Sequence, residues 1–431
     1  METLLAFLVL IGVLVWFHEF GHFLFAKIFG VRVEVFSIGF GPVLVRKRWG
    51  ETEYRLSAVP LGGFVKLYGE EEKVEDPRAF SSKKNWQKIL IAFAGPLFNF
   101  LLAILVFSFI YAVGRPTPSY VLEKPVVGQI AEKSPAQKLG LQAGDIIVEI
   151  NGNKVSTWKD VENAVLNSIL KKDWNVVVLR GDQKLLLSGK VELSKAGSFG
   201  AEPYIKPVIG NVLPKSPADQ VGIKEGDEIL EVNGKSISSW YDAVKNIRDT
   251  KGDVVKLKLR RGTQVLEKVV VPIKDKKTGI PILGISPRIQ IVSVKEPVDK
   301  AFLEGFEKTK NLTLLSLKAI WGLATGGISV KTLGGPIAIA QLAGESAQQG
   351  IIAFLGMMAF ISVQLAVFNL IPLPVLDGGL ILLFLIESLR GKPLSQKFKE
   401  NWQRVGFAII IALSALVILN DIVRLITGNG I

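Results

Sequence analysis

Apolar residues fall into four long runs, and a mixed, largely polar stretch separates the second from the third. The runs cover residues 3–26, 89–113, 351–371 and about 404–426, the last weakened at its end by Asn420, Asp421 and Arg424. Each is about 20 residues long, the length a helix needs to cross a hydrocarbon core of roughly 30 Å. The first run has no basic segment ahead of it and no small-residue cleavage site, so it predicts a membrane span rather than a signal peptide. Residues 312–325 (LTLLSLKAIWGLAT) are shorter and contain Lys318; they predict a helix on the membrane surface or packed against the protein. Residues 32–70, rich in Val, Phe and Gly, predict a strand hairpin dipping into the membrane, with a plain loop as the alternative.

The polar stretch contains an internal repeat. GQIAEKSPAQKLGLQAGDIIVEINGNKVSTW begins at Gly128, and GNVLPKSPADQVGIKEGDEILEVNGKSISSW begins 82 residues later at Gly210. Ser-Pro-Ala, Gly-Asp, Asn-Gly and a tryptophan (Trp158, Trp240) recur in register, so each copy predicts a small strand-rich domain. Gly144-Asp145, Gly226-Asp227, Asn151-Gly152 and Asn233-Gly234 fit turns.

Charge orients the spans. Arg32, Arg46, Lys47, Arg48, Lys83, Lys84 and Lys88 lie between the first and second; Arg390, Lys392, Lys397, Lys399 and Arg404 lie between the third and fourth. Short basic connections stay cytoplasmic, which places the repeat and both chain ends outside. The net charge of +13 has the same explanation, and nucleic acid is not an expected partner. The chain has no cysteine, so a metal would have to use histidine, carboxylate or backbone oxygen.

Its only two histidines occur in His18-Glu19-Phe20-Gly21-His22. Four residues apart on a helix, the two rings share one face and can bind one ion; neutral imidazole suits Zn²⁺, and Glu19 could act as general base. The alternative is a chance HExxH on an ordinary helix. It fits poorly here, because ionisable groups inside an otherwise apolar span are costly and usually mark function. A catalytic zinc site takes three protein ligands, and Asp377 is the best third candidate. It follows a broken stretch, Asn369-Leu-Ile-Pro-Leu-Pro-Val-Leu-Asp377-Gly-Gly, in which Pro372 and Pro374 end the third span. Capping of a short helix over 380–389 is the competing role for Asp377. Depth is an independent check. His18 lies about 15 residues into the first span, ~22 Å at 1.5 Å per residue. With four spans Asp377 arrives at the same cytoplasmic side, and with five it does not.

In HEFGH, FSIGFGP (36–42), PLGGFVKL (60–67), AGPLFN (94–99), the tandem repeat and NLIPLPVLDGG, all in order over nearly the whole chain, the sequence resembles the site-2 protease family, in its bacterial regulator-of-sigma-E protease type. The resemblance implies that His18, His22 and Asp377 bind zinc and that Glu19 is the catalytic acid/base. It implies that Asn369 helps hold substrate, and it extends a substrate-binding role to Asn99, for which helix packing is the alternative. Phe64 stands where the family often has tyrosine. The repeats resemble PDZ domains, at about 120–203 and 205–290, which limit substrate access, bind exposed peptide termini or act as spacers.

The expected architecture is a polytopic α-helical membrane protein with four transmembrane helices, a membrane-associated β-hairpin region and two tandem PDZ domains. The expected segments are 1–30 (span one), 31–88 (β region), 89–119 (span two), 120–203, 205–290, 291–350 (surface helical linker), 351–390 (span three and the broken Asp377 segment) and 391–431 (cytoplasmic loop and span four). The resemblance implies an intramembrane zinc endopeptidase of the bacterial inner membrane, with periplasmic PDZ domains, acting in regulated intramembrane proteolysis of single-span proteins. Anti-sigma factors or remnant signal peptides are the expected substrates, in a stress response. A scaffold without catalysis and a metal transporter are the rival readings; intact HExxH and Asp377 disfavour the first, and the repeat domains the second.

Overall fold

The computed structural model describes residues 2–70, 74–168, 171–191, 199–250, 253–275, 279–326 and 334–427. Two compact units are present: one combines residues 1–115 with 295–431, and the other comprises Pro116–Val294.

In the first unit, helix α1 spans Glu2–Ile28 and α2 spans Asn85–Val113. Between them run strands β1 (Val33–Trp49) and β2 (Thr52–Leu67), turned at Gly50-Glu51. Their register is unusual. Val35–Ile38 pair with Lys66–Gly63 and also with Glu53–Leu56, so the start of β1 lies between two stretches of β2. The outer part, from Val43 to Trp49, pairs with Ser57–Thr52 and exposes Val43, Leu44, Val45 and Trp49.

α1 and α2 carry apolar residues all round, as a lipid-facing helix does. Lipid tails are as apolar as leucine, so association inside a bilayer depends on close packing at small residues. Gly21 is such a point: a side chain there would run into the backbone of Ala94 and Gly95 on α2.

The second unit contains two copies of one plan. In the first copy, α3 (Pro135–Lys138) and α4 (Trp158–Asn167) accompany a sheet built from 153–154, 146–150, 173–180 and 183–190, in that order. In the second, α5 (Pro217–Gln220) and α6 (Trp240–Asp249) accompany 235–236, 228–232, 255–261 and 264–270. The repeated residues do matching jobs. Ser134 and Ser216 cap α3 and α5, accepting from the backbone N–H three residues on. Asn151 and Asn233 both take φ of 51°, and each side-chain oxygen accepts from the facing strand. Trp158 and Trp240 are buried in separate cores.

The Gly-Asp pairs acquire a role that their turns did not announce. Asp145 is held bidentate by Arg180 (2.7 and 2.8 Å), and Asp227 by Arg261 (2.6 and 2.8 Å). The same arginines reach the carbonyls of Gly140 and Gly222, fastening the turn to the sheet.

Back in the first unit, α7 (Val298–Ala324) contains residues 312–324, with Thr325 as its C-cap, and packs on α2, where Gly305 lies against Ser108 and Ile104. Then come α8 (Pro336–Gln348), α9 (Ile351–Asn369), α10 (Asp377–Arg390) and α11 (Gln396–Thr427). Among the described residues four helices are long and apolar enough to cross a membrane: α1, α2, α9 and Gln396–Val423 of α11. Asp421 on α11, 3% exposed, accepts from the N–H groups of Gly335, Ile337 and Ala338, satisfying the start of α8.

Burial raises the Asp227 carboxyl pKa, but its bonds to Arg261 and to the Lys224 N–H outweigh that and leave it below the usual aspartate value. A depressed folded pKa adds stability above the unfolded value of about 3.9, and that stability is lost as pH falls through the folded value. Asp227→Asn should therefore destabilise the second repeat at pH 7 by roughly 2–3 kcal/mol. Its deficit relative to wild type should shrink below about pH 4. Hydrogen exchange of amides in 228–270, measured at both pH values, checks this.

Candidate active site

His18 and His22 lie one turn apart on α1, on the side facing α2 and the break between α9 and α10. Nε2 of His18 is 3.3 Å from Nε2 of His22, 3.2 Å from Asp377 Oδ2 and 3.4 Å from Asn369 Nδ2. Nε2 of His22 is 3.5 Å from Asp377 Oδ1. Thus the two ends of the chain meet: ligand-type atoms of His18, His22 and Asp377 all lie within 4.8 Å of one another.

The helix break makes this meeting possible. α9 stops at Asn369 and α10 starts at Asp377, so the intervening prolines turn the chain back towards α1. Asp377 is the first residue of α10; Leu376 precedes it as the cap and makes no side-chain capping bond. The carboxylate is turned to the imidazoles, and Oδ2, although buried, has no hydrogen bond.

Outer partners set the rings. Nδ1 of His22 lies 2.8 Å from the Ile91 carbonyl, which can only accept, so this nitrogen carries the proton and the Nε2 lone pair is free. Nδ1 of His18 lies 3.0 Å from Asn99 Nδ2, while Asn99 Oδ1 is buried without a partner. Half a rotation of that amide presents Oδ1 to a protonated Nδ1 and frees Nε2 of His18 as well. Two imidazole lone pairs and a carboxylate would then converge. Such an acceptor-only cluster repels itself without a cation, and its nitrogen–oxygen donor set suits Zn²⁺. The residues fit a zinc ion on these grounds.

Gly95 supplies the space. A side chain there would collide with both the His22 and His18 rings. Neither the motif spacing nor hydropathy reveals this.

A cavity of about 270 Å³ opens beside the three groups, lined by Glu19, Phe64, Val65, Glu70, Phe80, Asn369, Val375 and Phe384 among others. Glu19 packs against Gly63, where an added Cβ would come 3.0 Å from Glu19 Cγ. Gly63, Phe64, Val65 and Leu67 of β2 form one wall, and among the described residues this stretch pairs with β1 alone. Asn369 lines the cavity. Asn99 does not: it is fully buried behind His18, and its carbonyl accepts from Ser362 Oγ at 2.7 Å. The Asn99 amide touches the His18 ring and no open space.

Gly95→Ala should preserve expression and α-helix content while weakening metal binding about 10- to 100-fold, as loss of ligand support typically does. Metal analysis of the purified protein against a chelator series measures this.

The model of the family described as "Peptidase family M50" matches residues 6–413. A Pasteurella multocida protein named as a zinc metalloprotease is 37% identical, over 97% of this chain and 98% of its own. The Escherichia coli regulator of sigma-E protease RseP is 34% identical, over 98% of each. Among solved structures, the PDZ domain of an SdrC-like protein from Listeria innocua is 30% identical, covering 19% of this chain and 93% of its own, with a TM-score of 0.18. A match running from the first helix into the last, over a chain whose HExxH histidines meet a distant aspartate, has one meaning: the chain belongs to peptidase family M50, the site-2 proteases, and is a zinc metalloprotease.

Proposed function

We propose that this protease hydrolyses peptide bonds within membrane-spanning segments of single-span proteins, with His18, His22 and Asp377 as zinc ligands and Glu19 as general base and acid. The convergence of those three side chains, two from within an apolar helix and one from just beyond the break that follows another, carries the reading. A zinc ion held there would supply Lewis acidity to a carbonyl oxygen and to water.

The chain's own residues supply the rest. A helical substrate hides its peptide bonds, so the segment must be extended before it is cut. The side of Gly63–Val65 that, among the described residues, has no partner strand offers backbone donors and acceptors to a strand laid along it, beside Glu19. Asn369 Nδ2 can donate to a substrate carbonyl next to the ligands. Glu19 removes a proton from the attacking water as its oxygen bonds to the scissile carbon. The same carboxyl then delivers that proton to the amide nitrogen as the C–N bond breaks. Asn99 orients His18 and acts through it.

Basic connections after α1 and after α10 support cytoplasmic placement of that end of the site in a bacterial inner membrane, with the repeats on the periplasmic side. The repeat pattern supports two tandem PDZ domains, which would restrict bulky substrates or hold exposed peptide termini. The sigma-E name of the Escherichia coli relative supports anti-sigma-factor segments as a substrate class, with remnant signal peptides as another.

Glu19→Gln should retain metal while cleavage of a reconstituted single-span substrate falls by about 10²–10⁴-fold. Full cleavage by that variant removes Glu19 from the mechanism. Asn99→Ala should weaken zinc affinity by about 10–100-fold. Added zinc should largely restore its turnover, as titration of activity against buffered zinc will show.

A further inference from the structure

Among the described residues, five other than glycine have positive φ. Four are lysines and asparagines in the two repeats; the fifth is Val375, at φ 78°. Asparagine tolerates this region because its short polar side chain bonds locally. A β-branched residue does not, and there it is a true outlier. Val375 stands two residues before Asp377.

The turn explains the angle but not the residue. The Leu376 N–H donates to the Leu373 carbonyl at 3.2 Å, closing a four-residue turn with Pro374 second and Val375 third. Proline second and positive φ third define a type II turn, whose third place belongs to glycine. Three true glycines crowd around it. Side chains at Gly378 and Gly379 would strike the carbonyls of Leu370, Ile371 and Leu373, and one at Gly406 of α11 would strike Pro374. The chain thus uses glycine wherever this segment needs space, yet keeps an isopropyl group where the backbone most disfavours one.

Nor is that group used for packing. Val375 is 49% exposed and lines the cavity with Glu19, Phe64 and Asp377. Strain persists where surrounding structure over-determines it, and here the surroundings are tight. A strained residue whose side chain faces the reaction cavity is contributing contact there.

We propose that Val375 is a specificity-determining residue of the proposed cleavage site. The type II turn holds its isopropyl group as a wall of the cavity beside Asp377, where it limits the size of the substrate side chain next to the scissile bond. This rests on the proposed intramembrane cleavage. Bond making and breaking are unchanged; only the accommodated side chain is selected.

The test uses the full-length protein in detergent or liposomes with single-span substrates that differ only in the residues flanking the cut: Ala, Leu, Phe or Trp. Relative kcat/KM across the series is the readout, for wild type, Val375→Gly, Val375→Ala and Val375→Thr. Val375→Gly and Val375→Ala enlarge the cavity. At one flanking position they should shift the ratio of large to small residues by about tenfold or more, as pocket methyl groups do. Val375→Thr keeps the branched shape and should keep the wild-type preference. Val375→Gly should also unfold at the same or a higher temperature than wild type, because the strain is gone.

An unchanged preference in both truncated variants overturns the proposal, whatever happens to the total rate, since a purely conformational role scales all substrates alike. Loss of all cleavage in both, with zinc content intact, also overturns it. Failure of the wild type to cleave any member in a chelator-sensitive way overturns the cleavage reading itself, and this proposal with it.

Discussion

Two imidazoles and one carboxylate, separated by more than 350 positions in the chain, occupy one spot among apolar helices. Polar groups at membrane depth are costly, and acceptors without a cation repel one another. Much of the first unit can be understood as what holds them there. α2 approaches α1 at Gly21 and Gly95 closely enough for the Ile91 carbonyl to reach one ring and Asn99 the other. The helix break after Asn369 lets α10 begin with its first side chain aimed at the pair.

The two units answer different solvents. Each repeat has its own apolar core around a tryptophan, a buried aspartate gripped by arginine, and capped short helices, as a water-soluble domain requires. In the other unit lipid gives no such driving force. Close approach at small residues and strict pairing of polar groups take its place. The three backbone N–H groups satisfied by Asp421 at the start of α8 show the same need outside the histidine site.

A large share of this was legible in the sequence, because the signals are local or periodic. Helical spacing put His18 and His22 on one face. Span length marked the four apolar helices, and the 82-residue repeat marked two equivalent folds. Asp377 could be proposed because the chain lacks cysteine and any third histidine, and because two prolines break the preceding helix. What escaped depends on contacts distant in sequence. Nothing near Asn99 says that it lies behind His18 rather than at the cavity, and nothing near Gly95 says that imidazoles fill its missing side chain. Arg180 and Arg261 become partners of the Gly-Asp turns only when the sheets form. The double pairing of β1, with no partner among the described residues on the other side of Gly63–Val65, is a matter of register that alternation alone does not specify. The left-handed Val375 runs against residue preference, so reasoning from preference would have missed it.

The central claim is that His18, His22 and Asp377 share one zinc ion. X-ray absorption at the zinc edge, on protein purified with its metal, tests it without depending on any substrate. The account predicts one zinc per chain, a nitrogen–oxygen shell near ~2.0–2.1 Å and outer scattering from two imidazoles. That scattering should disappear when both histidines are replaced by alanine. A bound zinc whose spectrum lacks the imidazole pair, or is unchanged by that replacement, would contradict it.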